Sequence, residues 1–220
     1  AFGLTGKMAP ANWAESRLWT ISQPIESRER EAPTTATERG RKMGSSGRCE
    51  GFGSMASAGD GIAGRGGGAR YAVEGDQIIG FAVRNTPNTF LCTEKTYGDF
   101  VFEYDFKVDP RLNSGVQIRS ECFDRETQIA WLGKMIKIPK DRVHGYQIEI
   151  DPDPKRDRWW SAGIYDEGRR DWLYPGALGG DGKAFTEQGR RLFKQGGWNH
   201  VKVEARGASI KTWLNGKPCA

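Results

Sequence analysis

Hydrophobic and polar positions alternate with period two over much of the second half of this chain, and that period predicts strands. The clearest case is YGDFVFEYDFKVD. Phe100, Phe102, Tyr104, Phe106 and Val108 fall on one face, and Val101, Glu103, Asp105 and Lys107 on the other. Five large side chains on one face require a facing layer, which implies a sandwich or a barrel. In HGYQIEID the same period puts Tyr146, Ile148 and Ile150 on one side and Gln147, Glu149 and Asp151 on the other. A polar, acidic face opposite an apolar one is what a sheet lining a binding cleft presents. NSGVQIRSE predicts a neighbouring strand with Val116 and Ile118 toward the core. If both strands lie in one sheet, Gly115, Gln117 and Arg119 share the face of Gln147 and Glu149. Glycine at 115 would leave room there for a ligand or a crossing backbone.

Shorter elements complete the pattern. YAVEGDQIIGFAV reads as a hairpin with Glu74-Gly75-Asp76 at its turn, and residues 90–93 as a short apolar strand. In WNHVKVEARGASIKTWLNG, Asn199, Val201, Val203 and Ala205 alternate with Trp198, His200, Lys202 and Glu204. Arg206-Gly207-Ala208 turns the chain, and Asn215-Gly216 begins another turn. DPDPKRD is a turn by Asp-Pro chemistry. Beyond it come Trp159 and Trp160, then IYDEGRR, which brings Tyr165, Asp166, Glu167, Arg169 and Arg170 close together in sequence. Residues 123–143 read as a long surface loop with a helix-like middle (Trp131, Met135, Ile138), and residues 171–196 as irregular. Residues 12–20 predict a short helix capped by Asn12, with Glu15 three residues on.

Composition divides the chain. It has 220 residues, 37% hydrophobic, with 30 glycines, and 13 of those glycines fall in residues 1–70. A Gly-rich, near-low-complexity stretch buries too little apolar area to offset its chain entropy. Residues 1–70 are therefore expected to be a poorly structured leader, and 71–220 a β-sandwich domain. Gly51, Gly53 and Ala56 match a dinucleotide-binding GxGxxA pattern, but no buried strand precedes it and no helix follows, so a flexible linker is the better reading. The net charge of +5 comes from basic residues interleaved with acidic ones, a solvated surface that does not call for nucleic acid. Four scattered cysteines without a CxxC pair give no zinc signature, and their even count permits disulfides. No apolar run reaches the roughly 18 residues of a transmembrane helix. The opening AFGLTGKMAP does not have a signal-peptide layout.

Taken in order, YGDFVFEYDFKV, NSGVQIRS, GYQIEID, GIYDEGRRDWL and the WN…LNG hairpin resemble the 3-keto-disaccharide hydrolase family over roughly residues 71–219. The resemblance implies an all-β, concanavalin-like jelly roll, an antiparallel β-sandwich related to family-16-type glucanases. It implies a saccharide substrate, action on 3-keto-glycosides by hydrolysis or by elimination followed by hydration, and an exported bacterial protein, periplasmic or extracellular. Two departures stand out: no opening strand signature of the family within residues 1–70, and no strands after the LNG turn. An incomplete copy of the domain is expected on that basis.

A ketone at C3 of a sugar acidifies the C2 hydrogen, so such a site needs a base, a stabiliser for the enolate and an acid for the leaving group. Glu149 is the expected base, Arg119 the stabiliser, His144 an alternative base or metal ligand, and Asp166 or Glu167 the acid. Gln117, Gln147, Tyr165, Arg169, Trp160 and Asn113 are expected to bind sugar. A divalent metal could be held by Asp151, Glu149 and His144, although their spacing is not diagnostic. Trp159 and Trp160 suit either sugar stacking or the sandwich core. A Glu149–Arg119 cross-strand ion pair is the non-catalytic alternative for those residues. At the level of the whole domain the competing class is a non-catalytic, lectin-like carbohydrate-binding module.

Overall fold

The computed structural model describes residues 2–10, 17–24, 62–63, 65–66, 68–74, 77–92 and 97–220. In chain order its strands are β1 (Phe2–Pro10), β2 (Arg17–Pro24), β3 (Ile62–Ala63), β4 (Arg65–Gly66), β5 (Arg70–Glu74), β6 (Gln77–Phe81), β7 (Thr89–Cys92), β8 (Phe100–Val108), β9 (Leu112–Cys122), β10 (Thr127–Trp131), β11 (Lys134–Ile138) and β12 (Val143–Ile150). They continue with β13 (Pro152–Asp153), β14 (Arg158–Trp159), β15 (Ile164–Glu167) and β16 (Asp171–Tyr174). After helix α1 (Gly182–Leu192) come β17 (Asn199–Arg206), β18 (Ser209–Leu214) and β19 (Lys217–Pro218).

Two antiparallel sheets carry the fold. The first runs β19-β18-β17-β8-β1-β6-β5-β3 and the second β16-β15-β12-β9-β2-β7-β4. They share one hydrophobic core. Phe100, Phe102, Tyr104, Phe106 and Val108 of β8, with Val201, Val203 and Ala205 of β17, meet Val116 and Ile118 of β9, Ile148 and Ile150 of β12 and Leu173 of β16. Exposure along β8 alternates strictly, as its sequence period requires. The molecule is thus an antiparallel β-sandwich, with the odd-numbered residues of β12 on the outer face of the second sheet.

Several elements differ from expectation. Residues 17–20 continue a strand where a helix was predicted; β1 lies between β8 and β6, and β2 between β9 and β7. Asn12, Glu15 and the Gly51/Gly53/Ala56 motif lie outside the described residues, as do Gly75 and Asp76 of the first hairpin, whose strands pair as predicted. The expected loop at 123–143 is a hairpin of β10 and β11. Leu132 and Gly133 join them with positive φ (48° and 75°), the conformation of tight hairpin turns. The stretch expected to be irregular contains β16 and α1. Asp181 caps α1 by accepting from the Ala184 N–H at 2.7 Å, and Arg190 and Arg191 fall in its last turn. A Cβ on Gly189 would lie 1.8 Å from the Trp159 carbonyl, so only glycine lets α1 approach β14 this closely.

Candidate functional site

Period two along β12 sets the site. Gln147 and Glu149 leave the core, and both are buried, as is Asp151 just beyond the strand. The neighbouring strand β9 pairs Gln117 with Gln147 and Gly115 with Glu149. Glycine at 115 does leave room, and the Gln147 side chain takes it: a Cβ there would sit 2.5 Å from Gln147 Cγ. Gln147 Nε2 donates to Glu149 Oε2 at 2.9 Å, and Asn113 Nδ2 donates to Glu149 Oε1 at 2.6 Å. The same Asn113 nitrogen reaches Asp151 Oδ1 at 3.3 Å. One amide therefore bridges two carboxylates.

Burial, and then the Asp151 charge, push the Glu149 carboxyl up to about 8; the bonds from Asn113 and Gln147 oppose the shift and the Glu167 charge adds to it. Among the described residues, two amide atoms on this face have no partner: Gln117 Nε2, a donor, and Gln147 Oε1, an acceptor. Unmatched buried polar atoms are costly, and here they lie beside the carboxyl whose charge is least favoured.

Acid gives way to aromatic along the same face. Arg158 Nε donates to Asp151 Oδ2, and its guanidinium lies 5.6 Å from the ring centres of both Trp160 and Trp172. Trp160 and Trp172 meet edge to face at 4.6 Å, and Tyr165 meets Trp172 at 5.4 Å. Tyr165 pairs with Gln147 across the strands, which puts this aromatic wall next to the amides. Trp159 turns the other way, into the core against Phe193 at 5.9 Å. Glu167, in register with Gly145, accepts from Arg142 and from Asn88 Nδ2 at 3.5 Å.

Four expected residues do not share this face. Arg119 leaves it through a β-bulge. Ile118 pairs with Tyr146 and Glu121 with His144, so Arg119 and Ser120 together oppose Gly145. Arg119 takes φ of 49° and donates to the Gly207 carbonyl and, at 3.1 Å, to Asp99. That rules out the cross-strand pair with Glu149. Ser120 takes its place on the polar face, donating to Gln117 Oε1 at 3.0 Å. His144 is even-numbered and packs against Phe123 at 4.4 Å; burial lowers its pKa. It cannot join Glu149 and Asp151 around one metal ion, and among the described residues no group of three His, Cys, Asp or Glu side chains converges as a metal site. Asp166 pairs with Tyr146 on the opposite face from Glu167 and accepts from Arg169 at 2.6 Å and from Arg170. Those two arginines lie over the Tyr146 ring at 5.2 and 5.3 Å, and Arg170 also over Trp131 at 4.5 Å. Asp166 and Arg169 thus form a structural ion cluster.

Sequence reading missed Arg158, Ser120 and Trp172. Arg158 was hidden directly after a turn, Ser120 behind the bulge and Trp172 in a stretch taken as irregular. The alternation of DWLY beside IYDE is the signal that could have found Trp172.

An antiparallel sandwich with buried carboxylates, amides and an aromatic wall on one sheet face is the class of protein these features define. The family model of the 3-keto-alpha-glucoside-1,2-lyase-like domain matches residues 51–220, and the chain belongs to that family. Its function is accordingly carbohydrate-related. No curated protein matches the chain. Among the described residues no helix is long and apolar enough to cross a membrane.

Proposed function

We propose that this protein cleaves 3-keto-glycosides by removing the C2 hydrogen with Glu149. The observation that carries the reading is the Glu149 carboxyl: buried, held by Asn113 and Gln147, and pushed up to about 8. A base is most effective when its pKa lies near the working pH, and an ordinary glutamate, near 4.5, is too weak for a C–H acid.

The chemistry follows from the ketone. Glu149 takes the C2 proton, and the electron pair moves onto the C3 oxygen as an enolate. Gln117 Nε2, a buried donor without a partner among the described residues, supplies a hydrogen bond to that oxygen. Collapse of the enolate forms C1=C2 and breaks the C1–O bond. The departing oxygen leaves as a hydroxyl, its proton balancing the one taken from C2. Addition of water across C1=C2 then completes a net hydrolysis. Glu167, paired with Arg142, and Asp151, paired with Arg158, present acceptors for sugar hydroxyls.

The test uses a methyl 3-keto-glucoside in D2O, following deuterium entry at C2 and the ultraviolet absorbance of the conjugated elimination product. The protein is expected to give both and Glu149→Gln neither. Wild-type protein that binds the sugar but shows neither exchange nor elimination would mark a lectin-like module and end the enzyme reading.

A further inference from the structure

Beside Glu149 two buried amides stand next to each other with complementary atoms left over. Gln117 and Gln147 are cross-strand partners on β9 and β12, 0% and 2% exposed. Ser120 Oγ donates to Gln117 Oε1 at 3.0 Å, and Gln147 Nε2 donates to Glu149 Oε2 at 2.9 Å. Each amide thus commits one end inside the protein. What remains is Gln117 Nε2, a donor, and Gln147 Oε1, an acceptor, neither with a partner among the described residues. Amides buried this deeply are as a rule satisfied, so an unmatched donor beside an unmatched acceptor points to a ligand that brings the counterpart of each. We infer that Gln147 is a specificity-determining residue, whose Oε1 accepts a hydrogen bond from the hydroxyl on C2 of the sugar.

The functional groups match. A ketone with a hydroxyl on the next carbon presents one acceptor and one donor in adjacent positions, the complement of Gln117 Nε2 and Gln147 Oε1. A ketone alone answers only the first. Two carbons flank the ketone, and the order of residues on the sheet chooses between them. Gln147 leans over Gly115, where an added Cβ would meet its Cγ at 2.5 Å and its Cδ at 2.7 Å. Gly115 is the cross-strand partner of Glu149. The Gln147 amide therefore stands on the Glu149 side of Gln117, bonded to the carboxylate. With the C3 oxygen on Gln117 and the C2 hydrogen on Glu149, the hydroxyl that meets Gln147 is that of C2. The C4 hydroxyl lies beyond the ketone, away from the base.

The two ends of the Gln147 amide are not interchangeable here. Turned over, the amide would set its oxygen against the ionised Glu149 carboxylate, two acceptors face to face. The base thus fixes which end of Gln147 meets the sugar. A 2-deoxy sugar leaves Oε1 unmatched in the complex. Sites built around a hydroxyl reject an analogue lacking it far more strongly than an apolar pocket rejects a missing methylene.

The placement of the sugar rests on the 3-keto-glycoside reading, so the test begins with binding, which needs no turnover. At pH 9 Glu149 is ionised and accepts from Gln147 Nε2. Isothermal titration of the full chain at that pH compares a 3-keto C-glucoside, whose exocyclic C1–C bond does not break, with its 2-deoxy and 4-deoxy analogues. The 2-deoxy analogue is expected to bind at least about tenfold more weakly than the parent, and more weakly than the 4-deoxy analogue. Gln147→Met keeps the length of the side chain and loses the acceptor, and should bring the parent down to the affinity of the 2-deoxy analogue. Should that variant melt early, the unmutated protein answers by rate. Its kcat/KM for methyl 3-keto-glucoside is expected to exceed that for the 2-deoxy glycoside by about a hundredfold or more, after correction for their rates of elimination by hydroxide. No binding of the parent, equal affinity for the 2-deoxy analogue, a larger loss with the 4-deoxy analogue, or a 2-deoxy penalty that survives Gln147→Met overturns the assignment. A 2-deoxy penalty in binding with no turnover of the methyl glycoside leaves the hydroxyl contact standing and removes the catalytic reading. Turnover without that penalty removes the contact alone.

Discussion

Replacing Glu149 by glutamine separates the charge of this residue from its shape, and the effect has a sign fixed by pH. In the unfolded chain the carboxyl titrates at its ordinary 4.5, and in the fold at about 8. Between those values the folded state binds the proton that the unfolded state has released, so stability falls as pH rises through that window. Below 4.5 the group costs nothing; above about 8 the whole penalty is present. At 1.36 kcal/mol per pKa unit the ceiling is about 5 kcal/mol. In a domain of this size that is on the order of 10 °C in melting temperature. Glutamine keeps the acceptor for Asn113, and Gln147 can rotate its Oε1, unpaired among the described residues, toward the new amide. Glu149→Gln is therefore expected to melt close to wild type at pH 5 and clearly above it at pH 9, with all elimination activity lost. Thermal melts by circular dichroism at pH 5, 7 and 9 read the difference. Two melting curves that stay parallel across that range would show that Glu149 ionises as an ordinary surface carboxylate does, and would remove the physical basis for its role as base. In the same window kcat/KM of the wild type should rise with pH toward a plateau above about 8, because the base works only when deprotonated.

Gly115→Ala places a methyl 2.5 Å from Gln147 Cγ and displaces the amide that holds Glu149; the expected cost is about 1–3 kcal/mol by overpacking, with a fall in kcat measured alongside the melt. Asp166→Asn leaves Arg169 and Arg170 without their buried counter-charge, and should lower stability by about 3–5 kcal/mol in a denaturant titration, in proportion to no catalytic step. Arg119→Ala removes bonds to Asp99 and to the Gly207 carbonyl, so a loss of about 1–3 kcal/mol with an unchanged kcat is expected; a kcat loss of a hundredfold or more would restore Arg119 to the reaction. Gly189→Ala drives a methyl into the Trp159 carbonyl at 1.8 Å, and should destabilise α1 by about 3 kcal/mol or more in hydrogen exchange.

What the sequence could show depended on how far an unbroken period ran. Along β8 exposure alternates strictly, and along β12 the pairing from Tyr146 to Ile150 keeps step with the sequence, so the core face and the triplet Gln147, Glu149, Asp151 were legible. Period two is silent about a single inserted residue, and that one residue moved Arg119. Up to Ile118 the parity of β9 places Gln117 beside Gln147; after the bulge it no longer applies, and Ser120 stands where Arg119 was expected. The bulge left a trace in Gly145, where a Cβ would fall 2.3 Å from Ser120 Oγ, yet a glycine mid-strand has several explanations and only the pairing tells them apart. Asp166 and Glu167 show the converse. Adjacent acids in a strand must point to opposite faces, so at most one of them could share the Glu149 face. Pairing with Gly145 selects Glu167, and pairing with Tyr146 commits Asp166 to Arg169 and Arg170. The remaining omission, Arg158, has no sequence period at all. It enters the site because a turn folds back onto β12, and long-range closure of that kind is set by the tertiary fold. The charge that Arg119 was expected to bring to Glu149 is thus delivered from the turn, to Asp151 instead. Glu149 is left to burial and to the Asp151 charge, and these push its carboxyl up rather than down.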